Sequence, residues 1–457
     1  MPQPLPKILP AKKRIKTSDE VSLGYPKKTA LGEARRCPQC SDPVCRPGCP
    51  LGIDIPAFIR LVREGDVSGA LSKIKEQNPF PSVCGRLCPA PCEKSCIFEK
   101  DGAPIGIRAL ERYAADHGRV KPPGRRSAKG RRVAVVGSGP AGLTAAAFLA
   151  RLHYDVTVFE AMPKPGGVLR YGIPEFRFPK KTLDREIREL EALGVEFRTG
   201  WRLGQTMDMA DLKSAGYEAA LLAFGAGAPK FLDIPGTHLS GVFYGEEILW
   251  QDNFIKPGLF RKNAQIKGLG DTVAVLGFGS AALDCARCCV RRGKTTTLVF
   301  DRLEEELRVY PADREQAREE GVIFEPLAKA VEIFGDGEGR VTGIKGMRLD
   351  YADPHSTGRW ELTIVPGSEF TLDVQSVVIA WGHQPPVNLN LLLPQLTLNS
   401  DGTVWTREGS ASTGLPNVFA AGDAVRGAGA VVNAIASGRK AAEEIHLFLS
   451  GDAHLSP

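Results

Sequence analysis

Two stretches of the chain share one pattern of apolar and small residues. The segments that begin at Val133 and Val273 each open with a short β-branched run, turn through glycines into an alanine-rich stretch, and end in a second apolar run that closes on an acid. A short β-branched run predicts a buried strand, and the longer small-residue stretch predicts a helix packed against it. We therefore expect the chain to contain a strand–helix–strand unit with parallel strands twice.

The first unit carries the features of a dinucleotide site. Its turn has the spacing G-x-G-x-x-G and comprises Gly137, Gly139, Pro140, Ala141 and Gly142. Glycines at this spacing permit a tight turn, let a pyrophosphate approach the backbone and let the helix pack on the strand, with the helix N-terminus facing the phosphates. Glu160 ends the second predicted strand, where a carboxylate can bind ribose hydroxyls.

The second unit repeats this arrangement with alanine in the third position. Its turn comprises Gly277, Gly279, Ser280, Ala281 and, in that third position, Ala282, and its second strand ends at Asp301 followed by Arg302. Two dinucleotide sites in one chain suggest FAD together with NADH or NADPH. Asp301 stands where a carboxylate accepts hydrogen bonds from free ribose hydroxyls and would repel a 2′-phosphate, although Arg302 could pair with one. The sequence therefore favours NADH.

A third segment indicates which unit binds the flavin. Gly422 and Asp423 lie in the run VFAAGDAV, ahead of a predicted helix over 431–447. This run resembles the C-terminal FAD motif of flavoproteins with two dinucleotide-binding domains, and the resemblance implies FAD in the first unit and the nicotinamide in the second. By the same resemblance, residues 166–180 form a wall beside the flavin, in which Gly167 and Arg170 are the candidate contacts. The alternatives are that Gly422 and Asp423 form an ordinary glycine turn and that residues 166–180 form a surface loop.

Cysteines are concentrated near the N-terminus. Eight of the eleven cysteines fall between Cys37 and Cys96, with the spacings C-x2-C-x4-C-x3-C-P and C-x3-C-x3-C-x3-C. Closely spaced thiolates that end in Cys-Pro are typical of iron–sulfur ligation, whereas four-cysteine zinc sites are the alternative. The other three, Cys285, Cys288 and Cys289, have the spacing of a helix face that packs into a core.

These patterns together predict an α/β protein with a helical N-terminal iron–sulfur module followed by two Rossmann-like domains. Apolar segments near 219–224 and 417–423 predict strands that return to the first unit, so the second domain is expected to be inserted in the first. The predicted ranges are 1–117 for the cluster domain, 118–132 for a basic linker, 133–250 with 385–457 for the FAD-binding domain, and 251–384 for the NAD(P)-binding domain.

Several long segments resemble one family. They are RIKTSDEVSLGY, EARRCPQCSDPVCRPGCPLGIDIPAFI, VCGRLCPAPCEKSC, PGGVLRYGIPEFRFPK and AAGDAV. The chain resembles the glutamate synthase small subunit and the N-terminal region of dihydropyrimidine dehydrogenase. Its segments are most similar to the large subunit of NADH-dependent ferredoxin:NADP oxidoreductase.

The resemblance implies two interleaved 4Fe–4S clusters. One cluster would be bound by Cys37, Cys40, Cys45 and Cys96. The other would be bound by Cys49, Cys88, Cys92 and a non-cysteine ligand that matches Glu111, for which a solvated helix carboxylate is the alternative. Cys84 would then be a packing thiol.

Composition and charge narrow the class of protein. The formal charge of +6 is local, since residues 118–132 hold seven basic residues and no acid. No aromatic residues interleave these charges, so a solvated linker is favoured over a nucleic-acid contact. No apolar run approaches the length of about 20 residues that spans a bilayer, and the proline-rich start predicts no signal peptide. We expect a cytoplasmic protein, in which many cysteines point to metal or redox chemistry.

The expected function follows from the cofactors. A nicotinamide transfers two electrons as hydride, a cluster takes one, and a flavin converts between them. We expect an NAD(P)H-dependent electron-transfer subunit that serves a partner redox subunit or a ferredoxin-like protein. The alternatives are a flavin-based electron-bifurcating subunit and a glutamate synthase small subunit. A nucleotide-binding protein without catalysis is disfavoured by the intact turns and cysteines.

Overall fold

The N-terminal part of the chain is mainly helical. The computed structural model describes residues 3–121, 124, 130–255, 266–352 and 360–451. Side-chain caps fix the starts of two helices: Asp54 accepts from the amide of Ala57 (3.2 Å) and Asp66 from that of Gly69 (2.8 Å). The elements are β1 (Lys7–Ile8), α1 (Ala11–Arg14), β2 (Ser22–Gly24), α2 (Lys27–Arg36), α3 (Ile55–Glu64), α4 (Val67–Lys75), α5 (Pro81–Leu87), α6 (Pro91–Lys94), a 3-10 helix (Ile97–Asp101) and α7 (Ile107–His117).

The remainder alternates strands and helices. Up to the middle of the chain the elements are β3 (Arg132–Val136), α8 (Pro140–Arg151), β4 (Asp155–Glu160), α9 (Val168–Tyr171), α10 (Lys180–Ala192), β5 (Glu196–Thr199), α11 (Met209–Ser214), β6 (Tyr217–Leu222), β7 (Ala228–Pro229), β8 (Val242–Tyr244) and α12 (Gly245–Ile255). They continue with β9 (Thr272–Leu276), α13 (Ser280–Arg291), β10 (Thr295–Val299), a 3-10 helix (Glu304–Glu306), α14 (Pro311–Glu319), β11 (Ile323–Glu325), β12 (Ala328–Gly335), β13 (Val341–Ala352), β14 (Glu361–Asp373), β15 (Ser376–Ile379), β16 (His383–Gln384), α15 (Leu389–Leu392), β17 (Val418–Ala420), α16 (Asp423–Arg426) and α17 (Val431–Ser450).

The first large sheet has the strand order β17-β6-β3-β4-β5, and all of its strands are parallel. Its central strands are almost wholly apolar because both faces of the sheet are buried. Val133, Val135 and Leu221 share a core with α8 and α17, whereas the alternate residues Val136 and Leu222 belong to a second core. The predicted returns to this domain are present as β6 and β17, and the last helix continues to Ser450, beyond the predicted 447.

The second large sheet has the order β11-β10-β9-β15-β8 and is also parallel. Three antiparallel strands, β12-β13-β14, accompany it. Strand β8 lies inside the range predicted for the FAD domain, yet Val242 pairs with Val377 of β15. We therefore place the start of the inserted domain before Val242 rather than at 251, because this run of only three residues is too short for periodicity to assign.

A two-stranded antiparallel ladder connects the two sheets. In this crossover ladder, His383 of β16 pairs with Pro229 of β7. Residues 122–123 and 125–129 of the predicted linker lie outside the described residues. Within the described ranges, no helix is both long and apolar enough to cross a membrane.

The cluster module packs on the first sheet's domain and on the inserted domain. Its buried residues share one continuous core with those of the first domain. The N-terminal arm reaches the inserted domain through Arg14, which pairs with the buried Glu320 (2.9 Å). Although burial alone would raise it, the guanidinium groups of Arg287 and Arg291 lower the pKa of Glu320 to about 2.

Candidate functional site

The first glycine turn fits a dinucleotide. Gly137 and Gly142 lie where the backbone is packed too tightly for a side chain, whereas Gly139 borders open space in which a ligand could lie. A Cβ at Gly142 would come within 2.0 Å of the Gly137 carbonyl oxygen, and one at Gly137 within 2.4 Å of the Ala223 oxygen. A Cβ at Gly139, the residue directly before helix α8, would have no neighbour within 4 Å. The helix N-terminus therefore faces free space, as a pyrophosphate requires.

The carboxylate of Glu160 supports this turn. It accepts hydrogen bonds from the amide of Ser138 (3.1 Å), from the Ser138 hydroxyl, and from the amide of Met162 (2.7 Å). The Ser138 hydroxyl in turn accepts from the amide of Gly166 (2.8 Å). Glu160 thus lies at the predicted place, and it is joined by Ser138, which the glycine pattern did not single out.

The predicted flavin-side segment contacts the turn through Gly167. A Cβ on Gly167, whose φ is +49°, would come within 2.7 Å of the Gly139 Cα. Arg170 donates to the Pro165 carbonyl (2.6 Å) and pairs with Asp184 on α10. The guanidinium of Arg170 therefore braces the loop.

The C-terminal segment meets the start of α8 from the other side. A Cβ at Gly422 would lie 2.8 Å from that of Ala141, and one at Gly438 would lie 2.1 Å from the Ala141 oxygen. The Gly422 amide donates to Ser437 (2.6 Å). Burial raises the pKa of Asp423 to about 6, opposed by a hydrogen bond with the Gly429 backbone and by the imidazole of His383. Ser437 and Gly438 carry no sequence signal of their own.

The second turn has a similar backbone and different side chains. A Cβ at Gly277 would come within 2.3 Å of the Ala380 oxygen, whereas Gly279 is open; Ser280, Ala281 and the rest of α13 follow. Arg302 lies over the ring of Phe278, with its Cζ 3.5 Å from the centroid, and its Nε is 3.0 Å from a carboxylate oxygen of Asp301. Asp301 and Arg302 are therefore paired beside this turn.

The first group of thiols consists of four neighbours from two loops: Cys37, Cys40, Cys45 and Cys96. Burial, followed by the nearby thiols of Cys37, Cys96 and Cys40, raises the pKa of Cys45 to about 11. Cys37 directly follows helix α2, and Cys96 directly precedes the first 3-10 helix, so two helix ends bring the distant cysteine to the others.

The second group consists of Cys49, Cys88, Cys92 and Glu111. Burial raises the pKa of Cys88 to about 12, with Glu111 as the next cause, and burial followed by Cys49 raises that of Cys92. Glu111 lies on α7 and is only 7 % exposed; burial raises its pKa to about 8, opposed by Asn78, which donates to it (2.8 Å).

Cys84 is also buried beside this second group, with Glu111 and Cys88 as neighbours. Within the described residues, no three His, Cys, Asp or Glu side chains converge as around a single metal ion. A cubane, by contrast, carries each of its ligands on a separate iron. The remaining three cysteines lie on α13 and are fully buried in the core that this helix helps to form: Cys285, Cys288 and Cys289.

Two families of known proteins match the chain. The model for dihydropyrimidine dehydrogenase domain II, 4Fe-4S cluster, matches residues 14–122, and that for pyridine nucleotide-disulphide oxidoreductase matches residues 131–438. The glutamate synthase (NADPH) small chain of Azospirillum brasilense is 33 % identical over 99 % of this chain and 95 % of the relative. The chain belongs to the glutamate synthase small chain family.

One further relative and two solved structures are also similar to the chain. The NADPH-Fe(3+) oxidoreductase subunit beta of Geobacter sulfurreducens is 32 % identical over 90 % of this chain and 64 % of its own length. The structure of FprA from Mycobacterium tuberculosis has a TM-score of 0.57 at 21 % identity and covers 71 % of this chain and 85 % of its own. Thioredoxin reductase from Lactococcus lactis has a TM-score of 0.51 at 22 % identity and covers 70 % of this chain and 99 % of its own. These two structures show the fold alone.

Membership of the glutamate synthase small chain family confirms the predicted fold class and chemistry. The chain has an N-terminal iron–sulfur domain followed by a pyridine nucleotide-disulphide oxidoreductase domain. It is an NAD(P)H-dependent oxidoreductase that binds a flavin and an iron–sulfur centre, and it acts in electron transfer.

Proposed function

We propose that this chain takes electrons from NAD(P)H at the second turn and delivers them, through FAD at the first turn and two 4Fe–4S clusters, to a partner redox protein. One observation carries the proposal: seven thiols and Glu111 form two groups of neighbouring side chains, and the module that holds both groups shares a core with the domain of the first turn. FAD, when bound, accepts two electrons as hydride and passes them on singly.

The residues have distinct roles in this proposal. Gly137, Gly139, Pro140, Ala141 and Gly142 cradle the FAD pyrophosphate, and Glu160, Gly167, Arg170, Gly422 and Asp423 shape or contact the rest of its site. The nicotinamide dinucleotide lies on Gly277, Gly279, Ser280 and Ala281. One cluster is bound by Cys37, Cys40, Cys45 and Cys96, and the other by Cys49, Cys88, Cys92 and Glu111.

The cofactor content tests the proposal directly. The anaerobically purified chain should hold one FAD and about eight irons, the content of two cubanes. Inductively coupled plasma analysis for iron and zinc, with flavin released by heat, measures this. Stoichiometric zinc in place of iron would show that the thiols bind a different metal.

Variants separate Glu111 from its neighbour Cys84. Glu111→Ala should lower the iron content to about four per chain and remove one set of electron paramagnetic resonance signals, and Glu111→Cys should restore the cluster with a different potential. Cys84→Ser is the matched control and should keep both clusters. Unchanged iron and spectra in Glu111→Ala, or loss of a cluster in Cys84→Ser alone, would reassign the fourth ligand.

The partner is inferred from the relatives. Those reported above are a small chain and a subunit beta by name, which supports a partner redox subunit or a ferredoxin-like protein here. The isolated chain should therefore reduce artificial dyes with NAD(P)H and show little turnover of glutamine with 2-oxoglutarate. Efficient glutamate formation by the chain alone would contradict this. The bifurcating role and the cytoplasmic location stay predictions of the sequence.

Two observations support NADPH over the NADH favoured by the sequence. Arg302 pairs with the carboxylate of Asp301 and so offsets the repulsion between that carboxylate and a 2′-phosphate. Arg302 also lies over the ring of Phe278, a residue of the turn. The glutamate synthase and oxidoreductase relatives are also named for NADPH.

A further inference from the structure

The crossover ladder stands between the two candidate dinucleotide sites. Strand β7 follows β6 of the first sheet, and β16 follows β15 of the second, so the ladder begins and ends at the carboxyl edges of the two sheets. Parallel α/β sheets bind their ligands at these edges. A polar side chain on the ladder is therefore placed where the two bound dinucleotides would meet.

One such side chain is paired with an acid of the inserted domain. The Nε2 atom of His383 lies 2.7 Å from a carboxylate oxygen of Glu246, and the side chains are 27 % and 14 % exposed. Glu246 is the second residue of α12, directly after β8, which lies beside β15 in the sheet. Among the described residues, no other side chain forms a hydrogen bond or ion pair with either of them.

The backbone around this pair is fixed. The amide of Lys230 donates to the Gly382 carbonyl (2.9 Å), and the side chain of Gln384 donates to the Pro229 carbonyl (2.9 Å), so His383 lies between two cross-ladder hydrogen bonds. Helix α12 is seated on α13 at its first residue, where Cys285 is 3.5 Å from the Gly245 oxygen. The pair is therefore held in a preformed position.

Both dinucleotide sites adjoin the pair. Ala380, three residues before His383, is the neighbour that leaves Gly277 no room for a side chain. Asp423 is also a neighbour of the pair, since the imidazole of His383 opposes the rise that burial causes in the pKa of this carboxyl. The pair is thus close both to the turn assigned to the nicotinamide dinucleotide and to the acid assigned to the flavin.

We propose that Glu246 and His383 bind the carboxamide of the nicotinamide ring and so position the ring toward the flavin site. This inference rests on the proposed function and adds two positioning residues to it. A carboxamide presents two N–H donors and a carbonyl acceptor, which match a carboxylate and an imidazole N–H. Holding the ring at the correct distance and angle is the main requirement of a hydride donor site.

A binding comparison tests this without turnover. The affinities of NAD+ and NADP+ are measured by titration calorimetry beside those of ADP-ribose and 2′-phospho-ADP-ribose, which lack the nicotinamide ring. Glu246→Gln and His383→Ala should each weaken the better-bound dinucleotide about 10-fold, the size expected for one charge-assisted hydrogen bond, and leave its ring-less counterpart within about twofold.

A neighbouring acid supplies the matched control. Glu247 lies in the same turn of α12 and accepts from the amide of Tyr244 (2.6 Å), whereas the ion pair of His383 is with Glu246. Glu247→Gln also removes one carboxylate from this helix N-terminus, and it should leave all four affinities unchanged.

The outcomes separate the inference from the proposed function. If neither NADH nor NADPH reduces the flavin of the wild-type chain, the proposed function fails. If the wild-type flavin is reduced, but both variants bind every ligand as wild type does or lose dinucleotide and ring-less ligand equally, the positioning role alone is wrong. Flavin content and melting temperature, measured for each variant, identify folding defects, and a defect in one variant leaves the other to decide.

Discussion

The two dinucleotide units have the same strand, turn, helix and terminal acid, but the acid is used differently in each. In the first unit Glu160 accepts from Ser138 and Met162 and so stabilises the turn itself. In the second unit Asp301 pairs with the next residue, Arg302, and within the described residues no hydrogen bond or ion pair joins it to the turn. An acid that is hydrogen-bonded into its turn, like Glu160, suits a cofactor that stays bound. An acid that is paired with an arginine, like Asp301, can instead influence which dinucleotide binds when the ligand exchanges.

The largest effect is expected when the first acid is altered. Both oxygens of Glu160 accept from backbone amides, so the amide nitrogen of Glu160→Gln would face a donor and leave a buried N–H without a partner. We expect flavin affinity to fall about 100-fold, measured by flavin fluorescence on dilution. Asp301→Asn, the equivalent change in the second unit, should retain its flavin. Equal flavin retention by both variants would mean that the two acids do not differ in this way.

A smaller contrast is expected at the third position of each turn. The first unit has Gly142, where a Cβ would come within 2.0 Å of a backbone oxygen, and the second unit carries Ala282 in the same position. Gly142→Ala should lower the free energy of unfolding by about 1–3 kcal/mol, as overpacking does. Ala282→Gly should cost about 0.5–1 kcal/mol, the usual penalty for glycine in a helix. Urea denaturation measures both, and the reverse order would show that the first turn can relax.

The smallest effect concerns the choice of nicotinamide dinucleotide. Arg302→Ala removes the cation that lies on Phe278 and leaves Asp301 unpaired, so the ratio of kcat/KM for NADPH over NADH should fall about 10-fold. Asp301→Asn should raise the same ratio by a smaller factor. Arg170→Ala is the control on the flavin side and should leave the ratio unmoved. A ratio that is constant in all three variants would exclude Asp301 and Arg302 from the ribose site.

The sequence predicted the elements and glycine turns because these depend on local patterns. It could not predict that Glu160 and Asp301 make different contacts. Glu160 accepts from the Ser138 hydroxyl, which accepts in turn from the amide of Gly166, a residue in another loop. The partner of Arg170 likewise depends on how α10 packs. Short elements were also beyond reach, as β8 shows. Glu246 and His383 carry no motif, and only the meeting of two sheet edges brings them together.

The contact between Arg14 and Glu320 has a consequence for biosynthesis. The two residues are 306 positions apart. At about 5–20 residues per second, a ribosome needs roughly 15–60 s to synthesise the chain between them. In the later part of this interval, once the chain has been made to His117, the cysteine module is complete while its attachment to the inserted domain cannot yet form. The cysteine module of the nascent chain is therefore open to cluster insertion until α14 has emerged and the inserted domain can pack against the N-terminal arm.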